Sequence, residues 1–336
     1  MVGDEAKFLP HEAIFEALTE WAKRYSLFVP AEEEKGVFWR LFEPGIKVEL
    51  GLRPLEPPKR LFFPPTEVLL RFSYKERQIL PEIPKDDTPL LVFGIRPCDL
   101  HGLKVLDQVL GQQDPYWKKR FVRAVFVSQP CTGAYDTCFC TWVGINPKEA
   151  KGADVSLVEL NGGWLLQPLT ERGRSLLEVG ILEKPSFSHL AEAQELLSRI
   201  EVQKGEDLNG LAENFYRSFD DLPFWRHMTF KCKACAICTF LCPTCFCFNI
   251  TDEKGHEGVL RLRTWDSCMF FHYTLEASGH NPRPTKAERY RNRIGHKFCY
   301  HPERYTDYGC TGCGRCIKYC PVSLDVREVL RRIKRY

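Results

Sequence analysis

CKACAICTFLCP, residues 232–243, and CTGCGRCIKYCP, residues 310–321, carry one cysteine spacing twice in a chain of 336 residues. Cys232, Cys235, Cys238 and Cys242 stand before Pro243; Cys310, Cys313, Cys316 and Cys320 stand before Pro321. Each run reads C-x2-C-x2-C-x3-C-P, the spacing with which thiolates hold [4Fe-4S] clusters in pairs. Three cysteines in three-residue steps on a turning loop point their sulfurs at one cube, and thiolate is the soft ligand such clusters select. The fourth, one turn further on, serves the other cluster. The spacing therefore predicts cluster A on Cys232, Cys235, Cys238 and Cys320, and cluster B on Cys310, Cys313, Cys316 and Cys242. Crossed ligation ties together two segments separated by the 67 residues from Pro243 to Gly309. The proline after each run turns the chain away from the metal.

Structural zinc needs only four ligands, commonly two C-x2-C pairs, and both runs exceed that. A disulfide framework suits small secreted chains. The opening residues, MVGDEAKFLP, have neither the basic region nor the apolar run of a secretion signal. The longest apolar runs, such as Leu90 to Ile95, are too short to span a bilayer. Sixteen cysteines in such a chain point to a reducing cytoplasm, metal cofactors and no membrane insertion.

The composition, 44% hydrophobic and 27% charged, is that of a soluble globular protein, and the length suggests two domains. Net charge is +3 but uneven: residues 281–336 hold 14 Lys and Arg against 5 Asp and Glu, while the first 280 hold 33 against 39. Basic residues beside anionic clusters explain that bias better than nucleic acid does. No strand interleaves aromatic and basic residues as RNA-binding sheets do.

Upstream, residues 10–25 place Ile14, Phe15, Leu18, Trp21 and Ala22 on one helical face. Strand-like runs follow at 27–29, 37–42, 48–50 and 68–72, punctuated by Pro54, Pro57, Pro58, Pro64 and Pro65. Leu90–Ile95 reads as a buried strand, Asp99–Leu110 as a helix and Phe121–Val127 as a second strand. A right-handed crossover makes those strands parallel. Their C-terminal edges, where open α/β sheets hold ligands, carry Cys98 and Cys131, and Cys138 and Cys140 follow in the same loop. Four cysteines at one rim predict a third [4Fe-4S] cluster, with zinc or free thiols as the alternatives. A hairpin is expected over 155–169, around Asn161-Gly162-Gly163, and helices from about Leu190. The expected fold class is α+β: an N-terminal α/β domain with a βαβ unit (1–188), then an α-helical ferredoxin-like domain with two clusters (189–336). Within the latter, Arg315 and the amides of Gly312 and Gly314 are expected to tune cluster potential, so that Arg315→Glu lowers it. Cys245, Cys247, Cys268 and Cys299 receive no role, a fourth cluster standing only as an alternative to packing around the pair. No G-x-G-x-x-G, P-loop or paired C-x2-C set for a nickel–iron centre is present, so no catalytic terminus or hydride acceptor is expected.

GIRPCDLHGLKVLDQV (94–109), CFC (138–140), CAICTFLCPTCFC (235–247), RTWDSC (263–268), GHNPRPTK (279–286), RNR (291–293) and GCTGCGRCIKYCPV (309–322) together resemble one family. Its members are the beta subunit of cytoplasmic sulfhydrogenase-type [NiFe] hydrogenases and the matching iron–sulfur subunit of anaerobic sulfite reductases. The resemblance implies a non-catalytic electron-transfer subunit. Its partners would be a flavin subunit exchanging hydride with NAD(P)H and a catalytic subunit, either [NiFe] hydrogenase or sirohaem sulfite reductase. It also strengthens the third cluster on Cys98, Cys131, Cys138 and Cys140. The alternative is a stand-alone iron–sulfur reductase acting on a small substrate.

Overall fold

The computed structural model describes residues 5–83, 88–133 and 135–336. Eleven strands are formed among them: β1 Lys7–Pro10, β2 Ser26–Glu33, β3 Gly36–Leu41, β4 Thr66–Ser73, β5 Gln78–Pro81, β6 Leu90–Ile95, β7 Val125–Ser128, β8 Val155–Leu160, β9 Gly163–Pro168, β10 Phe248–Lys254 and β11 Gly258–Trp265. Seven make one mixed sheet in the order β1-β9-β8-β7-β6-β2-β3. Its centre, β2, β6, β7 and β8, is parallel. Helix Pro97–Leu110 crosses between β6 and β7 as the pattern predicts.

The sheet buries both faces. Leu91, Phe93, Val125 and Val127 pack with Trp21 and Leu18 on one side. Val92, Ile95 and Phe126 pack with Leu103, Leu106 and Trp117 on the other. Ile95 joins the face of Val92 because the register shifts between Phe93 and Ile95. Gly94, at φ +78°, makes that bulge, a conformation that side chains resist. The expected strand over 121–127 is shorter than predicted. Asp114 caps the amides of Tyr116 and Trp117, and with Pro115 behind it starts a helix that runs through Phe121. Residues 48–50 make only an isolated bridge, Val48 to Ala31.

The second sheet, β10-β11-β4-β5, joins strands from opposite ends of the sequence. β11 runs antiparallel to β4 from Gly258–Ser73 to Thr264–Thr66. Arg263, buried at their junction, pairs with Glu67 and Asp114. A hairpin thus opens the segment between the two cysteine runs, in a region expected to be helical. Helix Phe187–Arg199, placed beyond residue 188 with the ferredoxin-like part, instead lays Leu190, Ala193 and Leu197 on Val158, Leu160 and Leu165 of the first sheet. Helical periodicity gives the apolar face but not the surface it covers.

Helices Leu211–Arg217, Leu222–Met228, Lys286–Gly295 and Val326–Lys334 enclose a separate core of Phe215, Trp225, Tyr290, Ile294, Leu330 and Ile333. Phe139 and Val143, from the loop after β7, are part of it. No helix among the described residues is long and apolar enough to cross a membrane.

Candidate iron–sulfur centres

The two cysteine runs fold alike. In the first, Ala234 and Ala236 take φ of 53° and 65°; in the second, Gly312 and Gly314 take 59° and 75°. Left-handed residues two apart curl each loop so that its sulfurs face inward. The amide of Ala234 donates to Cys232 Sγ at 3.3 Å, and that of Gly312 to Cys310 Sγ at 3.4 Å. One-turn helices, Ile237–Phe240 and Arg315–Lys318, then carry the fourth cysteine away. The second loop needs glycine for a further reason. A Cβ on Gly312 would lie 2.4 Å from the Phe139 carbonyl, and one on Gly314 2.3 Å from that of Thr137.

Three cavities collect the predicted ligands. Cys232, Cys235, Cys238 and Cys320 line cavity A. Cys242, Cys310, Cys313 and Cys316 line cavity B. Each fourth cysteine therefore faces the other run's cavity. Cys98, Cys131, Cys138 and Cys140 line cavity C, about 380 Å³, which reaches the surface at Thr132 and Gly133. The sulfurs surround spaces: among the described residues, no three His, Cys, Asp or Glu side chains close on a single ion.

The cavities form a row. Cys316 and Arg293 line both A and B. Cys313 and Phe139 line both B and C. The Phe139 amide donates to the Gly312 carbonyl at 2.7 Å, and Cys138 Sγ lies 3.7 Å from the Cys313 carbonyl, to which Arg53 also donates. Arg96 ties the rim of C together through the carbonyls of Leu50, Gly51 and Pro130. Cys98 sits in the first turn of helix Pro97–Leu110, whose dipole favours negative charge there. Burial, with Asp99 beside it, pushes the Cys98 thiol well up, and burial with Cys138 and Cys131 nearby pushes Cys140 up to about 11. Metal binding at such thiols must expel protons.

Sequence reasoning missed the buried cations. Lys59, Arg293 and Lys297 are 2%, 3% and 5% exposed. Among the described residues none pairs with a carboxylate; their donors go to carbonyls and a hydroxyl. Lys297 Nζ donates to Thr244 Oγ1 at 2.8 Å, and that oxygen lies 3.2 Å from Cys242 Sγ. Burial opposes the Lys297 charge, yet Cys242, Cys245 and Cys310 outweigh it and hold the ammonium protonated. A hydrogen bond from Cys245, acting against burial and aided by Lys297 and Arg293, holds Cys242 well below the ordinary thiol range. Isolated buried charge is prohibitive, so Arg293 and Lys297, which line cavity B, require an anion there. Two buried donors lining B, Arg293 Nε and Thr311 Oγ1, have no hydrogen-bond partner. An anionic iron–sulfur cube, whose sulfurs accept hydrogen bonds, fits all of these features. Arg293 lies in the RNR phrase and is visible as a motif; no local pattern marks Lys59 or Lys297. The basic tail faces elsewhere: Arg331 pairs with Glu206 and Arg332 with Glu328.

Residues 231–324 match the family model of the 4Fe-4S dicluster domain, so the chain holds [4Fe-4S] clusters. The chain is also 31% identical over 290 residues to sulfhydrogenase 2 subunit beta of Pyrococcus furiosus, an alignment covering 84% of each protein. An alignment of that extent reaches well beyond the cysteine runs and takes in at least β6–β9 of the N-terminal sheet, and on it the protein belongs to the family of sulfhydrogenase beta subunits.

Proposed function

We propose that the chain is a two-ended electron relay with three [4Fe-4S] clusters, ordered A, B, C, and makes no bond to substrate. The single observation behind this reading is the row of cavities. B is lined by buried residues apart from the half-buried Cys310 and Cys316, and by no exposed one, whereas A reaches the surface at Lys233 and Cys235, and C at Thr132 and Gly133. A relay needs two exposed ends and a protected middle; a stand-alone reductase needs one end only. Cluster A takes Cys232, Cys235, Cys238 and Cys320, cluster B takes Cys242, Cys310, Cys313 and Cys316, and cluster C takes Cys98, Cys131, Cys138 and Cys140. The clusters supply one-electron acceptance. The chain fixes their order, keeps water from B and offsets charge with Lys297 and Arg293. One end meets a flavin subunit working with NAD(P)H and the other meets the catalytic subunit, in a reducing cytoplasm. The relative's name favours hydrogenase over sirohaem sulfite reductase as that catalyst.

Iron and sulfide analysis of the reconstituted chain tests the reading, with about twelve of each expected for three cubes. About eight would remove cluster C. Cys320→Ser should abolish the cluster built on Cys232, Cys235 and Cys238 and spare the one on its own loop. Loss of the latter, followed by electron paramagnetic resonance with Cys242→Ser as the converse, would overturn the crossed assignment.

A further inference from the structure

Three of the four cysteines outside the cavity walls gather at the base of the β10–β11 hairpin. The ladder ends at Phe248–Trp265, and the Asp266 amide donates to the Cys247 carbonyl at 2.9 Å. That juxtaposition brings Cys247 against Cys268, and the two sulfurs hydrogen-bond each other. The Tyr273 hydroxyl donates to Cys247 as well. Both cysteines are half-buried and lie beyond the last strand pair. Cys245 links this base to cavity B: its thiol is hydrogen-bonded to Cys242, and it is near enough to Cys268 to act on that thiol. Lys59, fixed on the Cys245 carbonyl and over the Trp265 ring at 4.3 Å, holds this base in place.

We propose that Cys247 and Cys268 form a redox-active dithiol–disulfide pair served by the clusters of the same chain. In the oxidised state one S–S bond joins them. Reduction breaks that bond: each sulfur takes one electron and one proton, giving two thiols. The electrons come singly from reduced [4Fe-4S] clusters through cavity B, and the protons come from solvent at the half-buried pair. Oxidation runs the same step backwards, returning two electrons to the clusters and two protons to water. The shared hydrogen bond suits this chemistry. Of the two thiols Cys247 is the one that gives up its proton more readily, while Cys268 holds its own, and thiolate is the form that enters disulfides when the pair is reoxidised. A carrier of one-electron cubes thereby gains a two-electron store, matched to hydride chemistry at a flavin partner.

The inference rests on the relay reading for its electron source, so the test separates the two. The holo chain is prepared anaerobically, oxidised with the dye thionine or reduced with dithionite, quenched in acid, denatured and alkylated. Mass spectrometry should find Cys247 and Cys268 alkylated only after reduction, and joined in one cross-linked peptide after oxidation. Equal alkylation of both residues in the two states overturns the pair. Cys247→Ser and Cys268→Ser should each lower reductive uptake by two electrons per chain, with iron, sulfide and cluster spectra unchanged. Loss of one cube's iron in either variant would instead make these residues ligands and overturn the proposal. Failure of the relay would show in the cluster signals of the unaltered chain, whatever the thiols do.

Discussion

Arg315→Met should cost the folded chain about 3–5 kcal/mol, the penalty for stranding a buried charge, and should empty cavities B and C together. Arg315 and Asp99 are both 0% exposed and meet through two parallel hydrogen bonds, one of 2.7 Å. The guanidinium also donates to the carbonyls of Pro54 and Leu55. Methionine leaves the Asp99 carboxylate without a countercharge and two carbonyls without donors. A domain's whole stability is about 5–15 kcal/mol, so denaturant midpoints should fall sharply. The location makes the effect larger than a local one. Asp99 follows Cys98 on the crossover helix, and Arg315 precedes Cys316 on the second cysteine loop. The pair clamps the sheet's ligand edge to the ferredoxin-like loop, and the clash positions at Gly312 and Gly314 show how little space separates them. Arg315→Met/Asp99→Leu should recover much of the loss, because replacing both partners removes the orphaned charge. An unchanged midpoint for Arg315→Met would sink the clamp. The expectation that Arg315→Glu acts on redox potential changes accordingly: its charge already belongs to Asp99, and a second buried carboxylate there would unfold the junction before any potential could be read.

Much of this architecture can be read from local patterns. The cysteine runs give the chemistry because ligand spacing is a local property, and β6, its crossover helix and the edge cysteines follow from apolar periodicity. What escapes is long-range pairing. Nothing in the residues 66–73 announces that they will pair with 258–265, since antiparallel strands recognise one another by face and not by sequence distance. The hairpin at 248–265 is hidden because its outer strand, β10, is mostly exposed and polar enough to read as loop. Buried cations escape for a related reason. Lys59 sits in a proline-rich stretch that reads as surface, and only the fold shows its ammonium beneath Cys245. The phrase RPCDL is the instructive middle case: its cysteine is legible as a ligand, while the roles of Arg96 and Asp99 on either side emerge only with their partners at Pro130 and Arg315.

Lys297→Met should lower the midpoint potential of the cluster in cavity B by on the order of 100 mV while leaving the other two nearly unmoved. Reduction adds one negative charge to an already anionic cube, and a nearby fixed cation favours that step. Lys297 is connected to Cys242 through the Thr244 hydroxyl, a span of roughly 6 Å. At that distance and an effective dielectric constant of about 20, a unit charge contributes about 3 kcal/mol, which for a one-electron couple is on the order of 100 mV. Arg293 stays in place, so B keeps one of its cations and the fold keeps its packing; methionine fills most of the lysine's volume without its charge. Lys297→Arg is the control, preserving charge and expected to hold the potential. The consequence reaches function. B lies between A and C, so lowering its potential raises a barrier in the middle of the relay, and transfer between the ends should slow while each end still exchanges electrons with its own donor or acceptor. Potentiometric titration followed by electron paramagnetic resonance measures the shift, and stopped-flow reduction measures the slowing. If the potential of B holds but transfer slows, the lysine acts through packing alone; if all three potentials fall together, the cavities are not electrostatically distinct, and the proposed order loses its basis.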